Sequence, residues 1–230
     1  YVSVDFCEIL LQAIINEKAD MAICNFLSVD ENYNSIQENN TNLPIKNSCV
    51  NADEFMKGYC GEFGWYYVIA CNKLYKKSLF NSLRYPIGKQ HEDAFLIHRL
   101  TYQCNKIACV QYPLYYYVQR KGSIMSQISV RNMDLGDALL DQYWFAKKNK
   151  HSVLKNYAVR RLSYEFEKWR DLIIDDRMAE QKFNELRKKA FFLLYEKSAW
   201  EGYTFHSKVY YKLEIICPRF AKILRTLRHL

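Results

Sequence analysis

Glycine and proline are scarce in this 230-residue chain, which has seven and four of them. It contains no Gly-rich phosphate loop, so backbone cradling of a nucleotide by such a loop is excluded. No apolar run approaches the about 20 residues of a membrane-spanning helix, and the opening residues do not read as a signal peptide. The eight cysteines, at 7, 24, 49, 60, 71, 104, 109 and 217, form no C-x-x-C pair and no His-Cys cluster with zinc spacing. Cys24, Cys104 and Cys109 lie within apolar runs. They read as small buried hydrophobes of a reducing compartment, which implies a cytoplasmic location. Zinc-finger, basic-zipper and RNP-like motifs are missing too, and the basic residues are scattered among acids, so no nucleic acid partner is expected.

What is present fits a piece of a soluble enzyme. Half of the residues are hydrophobic, and a chain of this length buries roughly 70% of its unfolded surface. The net charge of +8 is unevenly placed: residues 1–122 carry twelve basic and twelve acidic side chains, residues 123–230 carry 21 and 13. The second part is therefore expected to do a different job.

Hydrophobic periodicity agrees with that division. A helix is expected over 4–18, with Phe6, Ile9, Leu10, Ala13 and Ile14 on one face, followed by a buried strand over 20–27. A long polar loop over 28–50 includes a short extended piece at Leu43–Ile45. Asn51, with Glu54 three residues on, marks a helix start. Two strands, 106–111 and 114–119, are joined through Pro113. From Val130 onward the pattern predicts helices over 132–149, 152–173, 177–198 and 206–228. The expected fold is α/β, with a mixed sheet in residues 1–130 and a helical region in residues 131–230.

The run Asn72–Asp93, NKLYKKSLFNSLRYPIGKQHED, holds the chemistry. It ends in His91, Glu92 and Asp93 just where Phe95, Leu96, Leu100 and Tyr102 begin a helical pattern. A carboxylate in a first helical turn meets unpaired N–H groups and the positive end of the helix dipole, which favour its ionised form. Asp93 is thus a candidate general base, although acids also occupy first turns with no catalytic role. Asn72 has both donor and acceptor groups for sugar hydroxyls, and Lys73 either faces a polar cleft or joins a solvated face with Lys76 and Lys77. Trp65 and Tyr66 offer a stacking platform or core packing.

Several motifs stand in a familiar order: Tyr1-Val2 before a helix, the strand Ala19–Phe26, Asn72-Lys73-Leu74-Tyr75-Lys76-Lys77, and Arg84-Tyr85-Pro86. Gly88-Lys89, His91-Glu92-Asp93, Pro113–Tyr117, Gln119-Arg120 and Ser123-Ile124-Met125 follow. Together they resemble the second half of the catalytic domain of family 2 glycosyltransferases, which build capsular, exopolysaccharide and lipopolysaccharide chains. The resemblance implies an incomplete GT-A-type sheet followed by helices. It makes Asp93 the base of an inverting transfer from a nucleotide sugar to a saccharide or lipid-linked saccharide acceptor, with His91 and Glu92 orienting it or lining the cleft. It also places Arg120 near the donor phosphates or the acceptor. Cys71 departs from the Trp that many relatives carry there, and Gln119-Arg120 does not match the Gln-x-x-Arg-Trp motif of processive enzymes, so addition of a single sugar is favoured.

The family's nucleotide-binding half, with the acidic motif that holds a divalent metal (Mn or Mg) and the donor diphosphate, does not resemble any part of these residues. The first residue is Tyr and not Met. A fragment that is inactive alone is the expectation. A second reading concerns the last predicted helix. Val209, Leu213, Ile216, Phe220, Ile223 and Leu227 share one face, with Lys208, Lys212, Arg219, Lys222, Arg225 and Arg228 at the sides and back and Pro218 opposite the stripe. Such a helix suits peripheral contact with an anionic membrane, at the inner face of the cell membrane, or a noncatalytic partner-binding module. The alternative is that the stripe packs on the preceding helices.

Overall fold

Residues Met21–Val29 form strand β1, and all but one of its nine side chains are buried. A strand covered on both faces carries a continuous apolar run instead of an alternating one, which is how this segment reads. The computed structural model describes residues 1–36, 44–120, 129–173, 176–201, 203–217 and 220. By packing, the chain divides into two units, Tyr1–Gly88 with Glu92–Gln127, and Lys89–His91 with Ile128–Leu230.

In the first unit, β1 pairs in parallel with β4 (Ile107–Val118) and antiparallel with β3 (Lys73–Tyr75), while β2 (Cys49–Val50) pairs antiparallel with β4. The order is β2-β4-β1-β3, a four-stranded mixed sheet. A parallel β1–β4 pair requires a long crossover. That crossover contains α2 (Ala52–Tyr59), α3 (Gly64–Val68) and α4 (Glu92–Tyr102). Helix α1 (Phe6–Glu17) lays Phe6, Leu10 and Ile14 against Ala22 and Cys24 of β1 and Ala108 and Val110 of β4.

The two strands expected around Pro113 are one strand. Its register against β1 shifts on both sides of Asn25, which lies opposite Pro113. Proline lacks the N–H that a regular ladder would use, so an irregularity is where it fits. Asn25 is fully buried and makes good the break: Nδ2 donates to the carbonyls of Ile45 (2.9 Å) and Gln111 (2.5 Å), and Oδ1 accepts from Ile45 N (3.2 Å). The extended piece expected at Leu43–Ile45 lies partly outside the described residues, and the strand of this region falls at Cys49–Val50. The expected helix start at Asn51 is present as a full capping box with Glu54.

The second unit is helical. It contains α5 (Asp134–Lys148), α6 (Ser152–Leu172), α7 (Arg177–Lys189) and α8 (Phe205–Ile216). Its core gathers Leu139, Tyr143, Leu162, Phe166, Trp169, Phe183 and Leu186. The helix expected over 177–198 stops at Lys189 and continues as two 3-10 turns, Phe191–Tyr195 and Lys197–Trp200. Five successive apolar residues do not make one helical face; here Leu193 turns into the core and Trp200 Nε1 donates to its carbonyl at 2.9 Å. The helix expected over 206–228 ends at Ile216, and Cys217 leaves the helical conformation with φ −140° and ψ 78°, as the steric demand of a following proline disfavours helix there. Its expected continuation at 218–219 and 221–230 lies outside the described residues. Among the described residues, no helix is long and apolar enough to cross a membrane.

Candidate functional site

The site is built where β3 begins. Cys24 N donates to Asn72 O (3.0 Å), and Asn72 Nδ2 returns a bond to Cys24 O (2.8 Å) and adds one to Tyr66 O (3.0 Å). Asn72 is completely buried, so both amide hydrogens fasten β1, β3 and α3 together. Its expected role in binding sugar hydroxyls is not what the geometry displays; its polar atoms are committed to the scaffold.

Lys73 is buried as well, which removes it from the solvated lysine face that it might have shared with Lys76 and Lys77. Its ammonium donates to Asn72 Oδ1 at 2.8 Å and to the carbonyl of Ile69. Burial pulls its pKa down to about 7, while the negative charge of Asp93 opposes that shift. A lysine here is therefore balanced between its two protonation states near neutrality.

Asp93 lies in the first turn of α4, as expected, with Oδ1 accepting from Ala94 N at 2.8 Å. Its titration differs from the sequence expectation. Burial, reinforced by the charge of exposed Glu92, raises it to about 6; the Ala94 N–H and the Lys73 charge oppose that rise without cancelling it. Helix-end N–H groups were expected to dominate, but desolvation is the larger effect at this half-buried position. His91, two residues before Asp93, has a left-handed φ of 56° and groups with the second unit.

Three residues that the sequence reading left without roles belong to the same neighbourhood. Tyr75 and Tyr85 neighbour each other, and both have raised pKa values, first through burial and then through nearby groups that include Asp93. Tyr115, near Cys71, is pushed up to about 12 mainly by burial. Tyr85 lies in the Arg-Tyr-Pro motif, the one sequence signal that could have found it. Cys71 itself is exposed.

Trp65 and Tyr66 divide the two roles expected of them. Tyr66 is buried and stacks on Phe26 at 4.1 Å, whereas Trp65 meets Phe26 edge-on at 4.7 Å and is 44% exposed. Of the two, Trp65 is thus the one with ring surface exposed to solvent. Arg120 is exposed just beyond β4, where Gln119 N donates to Val29 O at 2.8 Å. The residues that follow Arg120, including the Ser123-Ile124-Met125 motif, lie outside the described residues. All eight cysteines are free, and burial raises Cys24 to about 11 and Cys104 and Cys109 to about 12.

No protein-family profile matches the chain. It is similar to Glycosyltransferase GlyA of Streptococcus pneumoniae serotype 4 (strain ATCC BAA-334 / TIGR4), with 27% identity over 175 residues that cover 70% of this chain and 24% of that protein. It is also similar to Glycosyltransferase GlyG of the same organism, with 28% identity over 127 residues covering 54% of this chain and 42% of that protein. The chain thus spans less than half the length of either relative.

Proposed function

We propose that these residues are the acceptor-side part of an inverting, GT-A-type glycosyltransferase similar to family 2, serving cell-envelope polysaccharide biosynthesis at the cytoplasmic side of the membrane. The observation that carries this reading is Asp93: a half-buried carboxylate raised to about 6, opening α4. The two relatives named glycosyltransferase lend the reaction class.

In the proposed step, the acceptor hydroxyl oxygen attacks the anomeric carbon of a nucleotide sugar. The bond to the nucleoside diphosphate breaks, the diphosphate leaves with the electron pair, and Asp93 takes the hydroxyl proton. A base with a pKa of about 6 is still mostly ionised at neutral pH, and it accepts a proton more readily than an ordinary carboxylate. Glu92 and His91 flank it in sequence, and the exposed ring of Trp65 offers an apolar face to an acceptor sugar. Arg120 is assigned to the donor phosphates or the acceptor on the resemblance alone.

The resemblance also implies a divalent cation for the donor diphosphate. Among the described residues, no group of three or more His, Cys, Asp or Glu side chains could hold one. These residues do not fit that group, and the step above uses none; in this reading, donor and cation are held by residues beyond the 230.

The test is Asp93→Asn in the full-length protein, with turnover and donor affinity measured separately. Loss of proton transfer should lower kcat by about 10²- to 10⁴-fold and leave donor affinity nearly unchanged. Near-normal turnover would remove Asp93 as the base.

A further inference from the structure

Of the apolar stripe expected on the last helix, Val209 and Ile216 of α8 are exposed and Leu213 is half-buried, and Phe205 joins the exposed side. At about 100° per residue, Phe205, Val209 and Ile216 fall within about 40° of one another around the helix axis. They are 77%, 43% and 57% exposed, whereas Ile215, on another side, is buried in the core of the second unit. The helix is fastened by two contacts: the Arg187 guanidinium donates to the Ile215 carbonyl, and Lys212, which borders the stripe beside Phe205, places its ammonium 5.5 Å from the Trp200 ring centroid. The 3-10 turn against which α8 packs adds two more outward rings, Phe191 and Tyr195, 6.4 Å apart.

Among the described residues around this apolar surface, the charges without an ion-pair partner are of one sign. Lys188 and Lys197 are exposed on the neighbouring elements, and Lys208 lies on α8 itself. The nearby acids are engaged: Glu196 by Lys155 and Tyr143, Glu201 by Arg160, and Glu185 by Lys189. Exposed aromatic and aliphatic side chains beside uncompensated lysines suit the boundary between headgroups and acyl chains of an anionic bilayer. We propose that α8 and the Phe191–Tyr195 turn form a docking face for an anionic lipid surface, with Phe205, Val209 and Ile216 entering the interface and Lys188, Lys197 and Lys208 meeting the headgroups. No step of the proposed transfer reaction is used in this inference, so either can fail without the other.

Flotation of the 230-residue chain with phosphatidylcholine vesicles, with and without phosphatidylglycerol, tests the inference. Recovery should depend on phosphatidylglycerol and fall about tenfold in Val209→Asp/Ile216→Asp, with the far-UV circular dichroism of the wild type retained because both positions are exposed. Lys188→Glu/Lys197→Glu should weaken recovery on the anionic vesicles, and added salt should lower the recovery of the wild type. Equal recovery on both vesicle types, or unchanged recovery of the two double variants, overturns the proposal. So does a wild-type dimer in light scattering that Val209→Asp/Ile216→Asp dissolves without any anionic-lipid dependence, which would assign the stripe to a second copy of the chain.

Discussion

The ammonium of Lys73 donates to Oδ1 of Asn72 at 2.8 Å, and that bond ties a buried charge to the residue that holds β3 against β1. Asn72 is thereby saturated: two backbone carbonyls take its amide hydrogens and Lys73 takes its oxygen. A buried lysine that retains its charge needs such partners, since an unpaired buried ion is among the costliest groups in a protein. The pair is architecture first, and its bearing on chemistry runs through Lys73 to Asp93.

Asn72→Ala should therefore act on stability. It leaves the carbonyls of Cys24 and Tyr66 and the Lys73 ammonium short of partners, at a cost of about 2–4 kcal/mol. The check is a urea unfolding curve whose midpoint drops while its slope stays constant. If Asn72 instead serves a ligand, the midpoint will hold and acceptor KM will rise.

Removing the Lys73 charge should move the titration of Asp93. Lys73 favours the ionised carboxylate, so Lys73→Met takes away one of the influences that hold Asp93 down to about 6. The acidic limb of the kcat/KM profile of the full-length protein should shift to higher pH. A limb that stays in place or shifts to lower pH would show that the two groups are not coupled in this way.

Trp65 tests the acceptor side separately. Its ring is 44% exposed and meets the buried core chiefly at one edge of Phe26. Trp65→Ala should cost about 1 kcal/mol of stability or less, as expected near the surface, yet raise acceptor KM about tenfold through the lost sugar-stacking face. Paired KM and unfolding measurements separate the two roles; a large stability loss with an unchanged KM would make Trp65 a packing residue.

How far the sequence carried this reading differs from element to element. β1 and α1 were legible because a continuous apolar run and a one-sided helical stripe have few alternative meanings. The Asn51 cap was legible because a capping box is written in two residues three apart. The joining of two strands into β4 was not, because it depends on Asn25, a distant residue whose side chain replaces the ladder bonds around the irregularity opposite Pro113. Similarly, the position of Asp93 on α4 could be read locally, but its titration could not. That value is set by burial and by Lys73, contributed from another strand, and a local rule about helix ends gave the opposite direction.

The same carboxylate links function to stability, and the sign of that link can be worked out. Asp93 binds its proton more tightly in the folded state, where its pKa is about 6, than in the unfolded chain, where it is near the ordinary 3.8. Between these values the folded state carries more protons, so stability falls as pH rises from about 4 to 6 and is level above that range as far as this group is concerned. At neutral pH the buried charge costs about 1–3 kcal/mol. Asp93→Asn keeps the shape and can still accept the Ala94 N–H through its side-chain oxygen, but it cannot ionise. The variant should therefore be more stable than the wild type at pH about 7 and no more stable at pH about 4, as read from urea midpoints at the two values. In the full-length protein the same substitution should abolish most turnover. Greater stability with lower activity would identify a destabilised carboxylate retained for its chemistry; lower stability at neutral pH would mean that the charge is favourable to the fold and that its raised titration is wrongly assigned.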